Sequence, residues 1–385
     1  MGVMKWLDGS ENNEAKRWVK QLADSGKRER ASNELIRMGA KAAPALVEAL
    51  RDRASQLASQ AESLLGQIGL PATPTLVAGL HDDDPAMRDR CAHILAQTRD
   101  LQASDALVAA LQDQYYHVRQ SAALALGEIG EARTLPALLR ALGDPEPEVR
   151  CSALVAIGKF NDPAAFERMA DLLLEDPTIE VRQAAASALG STRLPEALPY
   201  LTVALRDSFW WFEREGTIAP LLETFLDIGQ PSVTPLLEAL EDKEGTVRRF
   251  AATLLGRLGD PRAIEPLGMA LYDMHFEVGE AAAEALARFG EPGLKVLAEA
   301  LKHPEAWLRQ HAISGLAHSG DKRILPVLVN MLDDPEREVV KLVIGCLGEM
   351  GDARALPRLK EIAADRADRE LSSLARAAIT AIGES

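Results

Sequence analysis

Cysteine is scarce in this chain. Cys91, Cys151 and Cys346 stand alone in 385 residues, at no metal-ligand spacing. So few and so scattered, they exclude a disulfide framework and a thiolate metal centre, and they suit a reducing compartment. Long apolar runs are missing too. The opening Met1 to Asp8 reads as neither a secretory signal nor a membrane span, and Trp6 and Leu7 stand where myristoylation of Gly2 needs Ser or Thr. A cytoplasmic protein without membrane insertion is therefore expected. Positive charge is in deficit: the net charge is −15, and residues after position 50 carry −17 of it. Nucleic-acid affinity rests on Lys and Arg neutralising phosphates, so no nucleic-acid partner is expected. Histidine occurs seven times, never followed by Glu. No Gly-rich phosphate loop, Ser/His/Asp arrangement or Cys/His dyad stands out, so the chain is read as a non-enzyme without a cofactor. His311 and His318 lie seven apart and could share a helix face, but no third metal ligand accompanies them.

What is abundant is Ala and Leu, which favour helices, in a chain that is 47% apolar but only 4% aromatic. These residues repeat. Val118-Arg119, Val149-Arg150, Val181-Arg182, Val247-Arg248 and Leu308-Arg309 open similar segments, mostly 30 to 32 residues apart. Met87-Arg88, Val278-Gly279 and Val339-Val340 occupy the same slot. In residues 132–159, Leu135, Leu138, Leu139 and Leu142 recur at helical spacing. Gly143-Asp144-Pro145 ends that segment, with Asp144 able to cap the next helix. Nine residues after each Val comes a small residue, among them Gly127, Gly158, Gly190, Gly256 and Gly348. Glycine inside a helix is costly, so its repetition marks a close helix approach. Three residues later Gly130, Gly259, Gly290, Gly320 and Gly351 suit left-handed helix stops. Pro136, Pro199, Pro235, Pro266, Pro326 and Pro357 should bend the first helix of each unit.

A hairpin this small cannot bury its own apolar faces, whereas stacked copies can. The expectation is all-α: about twelve hairpins forming one continuous array over 1–385, with caps at 1–40 and 352–385. The unit Asp-Pro-x-x-x-Val-Arg-x-x-Ala-x-x-Ala-Leu-Gly resembles the short HEAT-like repeat named after the phycobilisome lyases, from about residue 27 to the end. The resemblance implies a right-handed α-solenoid with first helices on the convex side and second helices lining the concave side. HEAT-like deoxyhypusine hydroxylases would need His-Glu pairs, which are absent. Charge disfavours a HEAT-like DNA glycosylase.

Two candidate features stand out. Arg88, Arg119, Arg150, Arg182, Arg248 and Arg309 form a ladder, read as structural. Each would pair with carboxylates at the ends of first helices, such as Asp113, Asp144, Asp176, Asp207 and Asp242, because guanidinium binds two oxygens at once. The second feature is aromatic. Phe209, Trp210, Trp211 and Phe212 interrupt the repeat, stretching one Asp-to-Asp step to 35 residues. Tyr115, Tyr116, His117, Phe276 and Trp307 stand at equivalent turns. These rings either plug gaps in an Ala- and Leu-rich stack or form a partner-binding ridge. The function expected is a scaffold or adaptor for other proteins, which its acidic surface would select for basic segments. The alternative, implied by the resemblance, is a bilin lyase-like accessory subunit holding a tetrapyrrole and a phycobiliprotein.

Overall fold

The computed structural model describes residues 9–52, 56–207, 218–365 and 367–384. All regular structure among them is helical, and the helices pair into twelve hairpins. Six hairpins belong to a first compact unit, Met1–Ala197, and six to a second, Leu198–Ser385. Gly9–Gln21 and Arg28–Met38 make the first hairpin, Leu356–Ala364 and Arg369–Glu384 the last.

Residues 132–158 show why the sequence folds this way. A three-residue 3-10 turn, Ala132–Thr134, leads into the first helix, Leu135–Ala141. Leu138 and Leu142 are fully buried. A short turn follows, then the second helix, Pro147–Gly158, whose Val149, Ala153, Leu154 and Ile157 are buried. The Val slot is core throughout: Val118, Val149, Val181, Val247, Val278 and Val339 expose nothing to solvent. Burying a side chain of this size contributes about 1.5–3 kcal/mol. Second helices pack on second helices: Pro85–Thr98, Tyr116–Ile129, Pro147–Gly158 and Ile179–Ser191 each touch the next.

The glycine slots match their expected geometry, with one exception. A Cβ on Gly127 would lie 2.6 Å from Ala156 Cα, and one on Gly256 2.7 Å from Ala285 Cα, both in the next second helix. Gly130, Gly259 and Gly351 are left-handed helix stops with φ of 64° to 69°, Gly320 has φ of 64°, and Gly290 departs from the expectation, pairing a φ of 62° with a ψ of −140° at the start of the next helix. Arg99, Asn161 and Arg193 hold the same left-handed slot in other repeats, with φ of 51° to 54°.

Two local expectations are corrected. The recurrent prolines do not bend a continuous helix. Pro136, Pro326 and Pro357 sit in the first turn of an α-helix that starts afresh after a 3-10 turn, where a missing amide donor costs nothing. The Asp-Pro aspartates also divide in role. Asp84 caps Pro85–Thr98 through the Ala86 amide, as expected. Asp144 instead lies two residues before the N-cap and accepts the Glu146 amide at 3.0 Å. That position leaves its carboxylate free to meet the preceding repeat.

Candidate functional site

The turns between first and second helices carry the polar chemistry. Arg88 Nε and Nη2 donate to the two carboxylate oxygens of Asp113 in the next repeat, at 2.6 and 2.9 Å. Its Nη1 donates to the Asp82 carbonyl of its own turn at 2.8 Å. Arg119 repeats this with Asp144 (2.7 and 2.7 Å) and the Asp113 carbonyl, and Arg150 with Asp176 (2.8 and 3.0 Å) and the Asp144 carbonyl. In the second unit Arg248 meets Asp273, and Arg309 meets Asp334. Arg182 donates to the Asp176 carbonyl at 2.7 Å. Each aspartate also accepts the amide two residues on, so one carboxylate closes its own turn and clamps the preceding repeat. Asp242 departs from the expected order. It is met by Arg206, from the end of a first helix and half exposed.

The electrostatics follow from burial. For Asp113, Asp273 and Asp334, burial pushes the carboxyl pKa up. The arginine hydrogen bond, the turn amide and the guanidinium charge together outweigh it and hold the group below the usual carboxylate range. The paired Arg88, Arg119, Arg248 and Arg309 are pushed further up by the aspartate hydrogen bond.

The aromatic candidates separate. Phe209, Trp210, Trp211 and Phe212 lie outside the described residues. Tyr115 is exposed with the Arg88 guanidinium over its ring at 5.7 Å, and the Tyr116 and His117 ring centroids are 3.9 Å apart. In the second unit, Phe276 and Trp307 come together across one buried residue, His311. The Phe276 ring lies 4.5 Å from the imidazole and the Trp307 ring meets it edge-on at 5.7 Å. Burial pushes the His311 pKa down, and its Nε2 has no hydrogen-bond partner. His318 is exposed, so the two histidines do not share an environment.

Sequence reasoning missed the neighbours of Phe276. Met269, Tyr272 and Met274 are 71%, 51% and 90% exposed, beside Phe276 at 55%. The signal was present at Gly279, which stands in the ladder's arginine slot. Without an arginine there, His311 of the next repeat packs against Gly279, where a Cβ would lie 2.7 Å from Nε2. The aspartate is gone as well: His303 takes its place and accepts the Glu305 amide on Nδ1 at 3.1 Å. Tyr272 meets the His303 ring at 5.5 Å. A polar rung is thus replaced by an aromatic and thioether surface.

Burial holds all three thiols toward the protonated form. Burial pushes Cys91 to about 12 and Cys346 to about 11, and also raises Cys151. Among the described residues no cluster of His, Cys, Asp and Glu is placed to hold a metal ion. Among them, too, no helix is long and apolar enough to cross a membrane.

Comparison with known proteins agrees with this architecture. Phycocyanin alpha phycocyanobilin lyase CpcF of Synechocystis sp. is 33% identical over 103 residues, 26% of this chain and 46% of that protein. Phycocyanobilin lyase subunit beta of Pseudanabaena tenuis is 32% identical over 103 residues, 35% of its length. The chain therefore spans less than half the length of the curated relatives it matches. Among solved structures, Kap121p bound to Pho4p is similar with a TM-score of 0.60 and 13% identity, over 99% of this chain and 50% of that one. The family model for HEAT repeats matches residues 73–146, 135–221, 233–303 and 294–380, more than half of the sequence. Matched so widely, and built from stacked hairpins, the chain belongs to the HEAT-repeat family.

Proposed function

We propose that the chain is a protein-binding scaffold or adaptor, and that the turn surface around Met274 and Phe276 is a principal contact. One observation carries the reading. Four large apolar side chains, Met269, Tyr272, Met274 and Phe276, are exposed within eight residues of a chain with very few aromatics. Methionine and aromatic side chains in one exposed patch are the composition of adaptable binding surfaces. The acidic body favours partners with basic segments. That Kap121p, which shares the fold, is found bound to Pho4p supports a binding role without naming a partner here. A cytoplasmic location belongs to this proposal, supported by three free thiols.

The test is a pull-down from native lysate read by mass spectrometry, with the double variant Met269→Ser, Met274→Asp as control. Because both side chains are mostly exposed, the melting temperature should hold while specific partners are lost. Retention of every partner by the double variant would overturn the assignment of this surface.

A second reading has its own support in the similarity to the two bilin lyase subunits. Under it the chain would hold a tetrapyrrole and a phycobiliprotein. Mixing the protein with phycocyanobilin should then produce a shifted visible band that survives gel filtration. A colourless protein peak would set that reading aside.

A further inference from the structure

Five ladder arginines are held by the same three acceptors. Two are carbonyls six and five residues earlier; the third is the carboxylate of an aspartate 25 or 26 residues later. For Arg309 these are the His303 carbonyl (2.9 Å), the Pro304 carbonyl (2.7 Å) and Asp334 (2.7 and 2.6 Å). For Arg150 they are the Asp144 and Pro145 carbonyls (2.8 and 3.1 Å) and Asp176. The next repeat carries Val340 in the arginine slot. Counting by the same offsets, its acceptors are the carbonyls of Asp334 and Pro335 and the carboxylate of Asp365. These three residues line one open cleft of about 450 Å³, whose apolar walls include Leu332, Val340, Ile362 and Leu371.

The acceptors are present, and among the described residues no guanidinium occupies the slot. Asp365 accepts the Ala367 amide at 2.8 Å, which is the turn every ladder aspartate makes, and among the described residues no cation pairs with it. Arg337 also lines the cleft, but its guanidinium is committed to Asp368 and Glu370 at 2.7 to 2.9 Å. The contrast with Gly279 is instructive. There the aspartate was lost together with the arginine, and His311 filled the space. At Val340 the aspartate and the turn are kept, and the described residues leave a cleft there.

We propose that this cleft receives an arginine side chain presented by an extended segment of a partner protein. Five intramolecular copies show that the acceptor set fits a guanidinium. An ammonium cannot offer the planar fork that bonds both carboxylate oxygens and a carbonyl at once. The apolar walls suit the methylene stem of an inserted arginine. The negative charge of the chain draws basic segments toward it. The assignment deepens the reading of the chain as a protein-binding module and gives that partner a chemical signature.

The experiment uses the full-length chain with labelled Ile, Leu and Val methyl groups. It is titrated with three otherwise identical Gly/Ser-rich nonapeptides bearing a central arginine, lysine or citrulline. The arginine peptide should shift the methyl signals of Val340, Leu332, Ile362 and Leu371. The lysine peptide should bind roughly tenfold more weakly or worse, and the uncharged citrulline peptide should produce no shift. Asp365→Asn, at an exposed position, should weaken the arginine peptide by a similar factor. Val340→Arg should fill the slot from within, abolish the shift and raise the melting temperature. Arg366→Gln removes the neighbouring arginine in sequence, and the shift should persist in it. Equal shifts from the citrulline peptide, no shift at millimolar peptide, indifference to Asp365→Asn, or a shift seen only in Arg366→Gln would each overturn the proposal. The Met274 surface is untouched by these variants, so failure here leaves the pull-down test standing.

Discussion

Gly127 and Gly345 both lie inside second helices, Tyr116–Ile129 and Arg337–Met350, yet they answer to different forces. Gly345 faces open space, where an added methyl group would have nothing within 4 Å, so only the entropic cost of glycine acts there. Gly345→Ala should raise stability by about 0.5–1 kcal/mol. Gly127→Ala puts a methyl group against Ala156 backbone and should cost about 1–3 kcal/mol through forced separation of two second helices. Arg193, held at φ 54°, offers the converse case. An L-residue in that conformation is strained by roughly 1–2 kcal/mol, so Arg193→Gly should recover up to about 1 kcal/mol. Chemical denaturation of the three variants checks all of these. A destabilised Gly345→Ala would show that its helix has a neighbour on that face.

At the scale of the hairpin, the ladder is the element that joins one repeat to the next. The Arg150 and Asp176 side chains are only 10% and 3% exposed. Removing one member strands the other in a dry turn. Arg150→Ala should therefore cost about 3–5 kcal/mol, whereas an exposed pair such as Arg168 with Asp171 should be worth under about 1 kcal/mol. Urea melts of Arg150→Ala and Arg168→Ala measure the difference; similar small losses would mean the ladder contributes little. Three other rungs contribute to the acid limit. Asp113, Asp273 and Asp334 titrate below their unfolded values. Their contribution is complete above about pH 4 and drains away as pH falls through the folded values. His311, also pushed down, acts earlier: its burial favours the folded state fully above about pH 6.5 and is opposed as the unfolded imidazole gains its proton. Thermal melts between pH 8 and 3 should fall in two steps, and His311→Leu should remove the first. A single step in the wild-type protein would exclude His311 as its source.

The same scale shows what could be read in advance. The Val slot, the small-residue slot and the left-handed stops were legible because each repeats in register, so several copies average out local noise. The broken first helix was not. Proline at 136 or 326 is compatible with a kink or with a fresh helix start, and only the preceding 3-10 turn decides between them. The arginines of the ladder could be picked out, but the partners of Arg248 and Arg309 required the fold to bring Asp273 and Asp334 across from the following repeat. The Met274 surface was hidden for another reason. Its marker is Gly279, which stands in the arginine slot, and the contact that reveals it lies one repeat later, where His311 packs against that glycine.

Within each unit, cohesion passes between neighbouring hairpins. Truncation after Glu370 would remove most of the Arg369–Glu384 helix, which packs on Arg337–Met350 and Leu356–Ala364. Hydrogen exchange should then show protection lost in those two helices and kept in Gly245–Leu258 and Phe276–Ala287. Uniform loss through the second unit would mean that it opens as one cooperative block.

The ladder has a consequence for chain length. Arg119 and Arg150 are 31 residues apart and make the same three kinds of contact, so the carboxylate of Asp176 has no means of telling one from the other. Excising residues 119–149 would join Val118 to Arg150 and leave every remaining rung with a partner. A gene encoding such an array can therefore gain or lose a whole repeat by unequal recombination with the rungs of the ladder kept in register. Offsets of 25 and 26 residues from arginine to aspartate both close a rung, so the ladder by itself does not fix the number of hairpins.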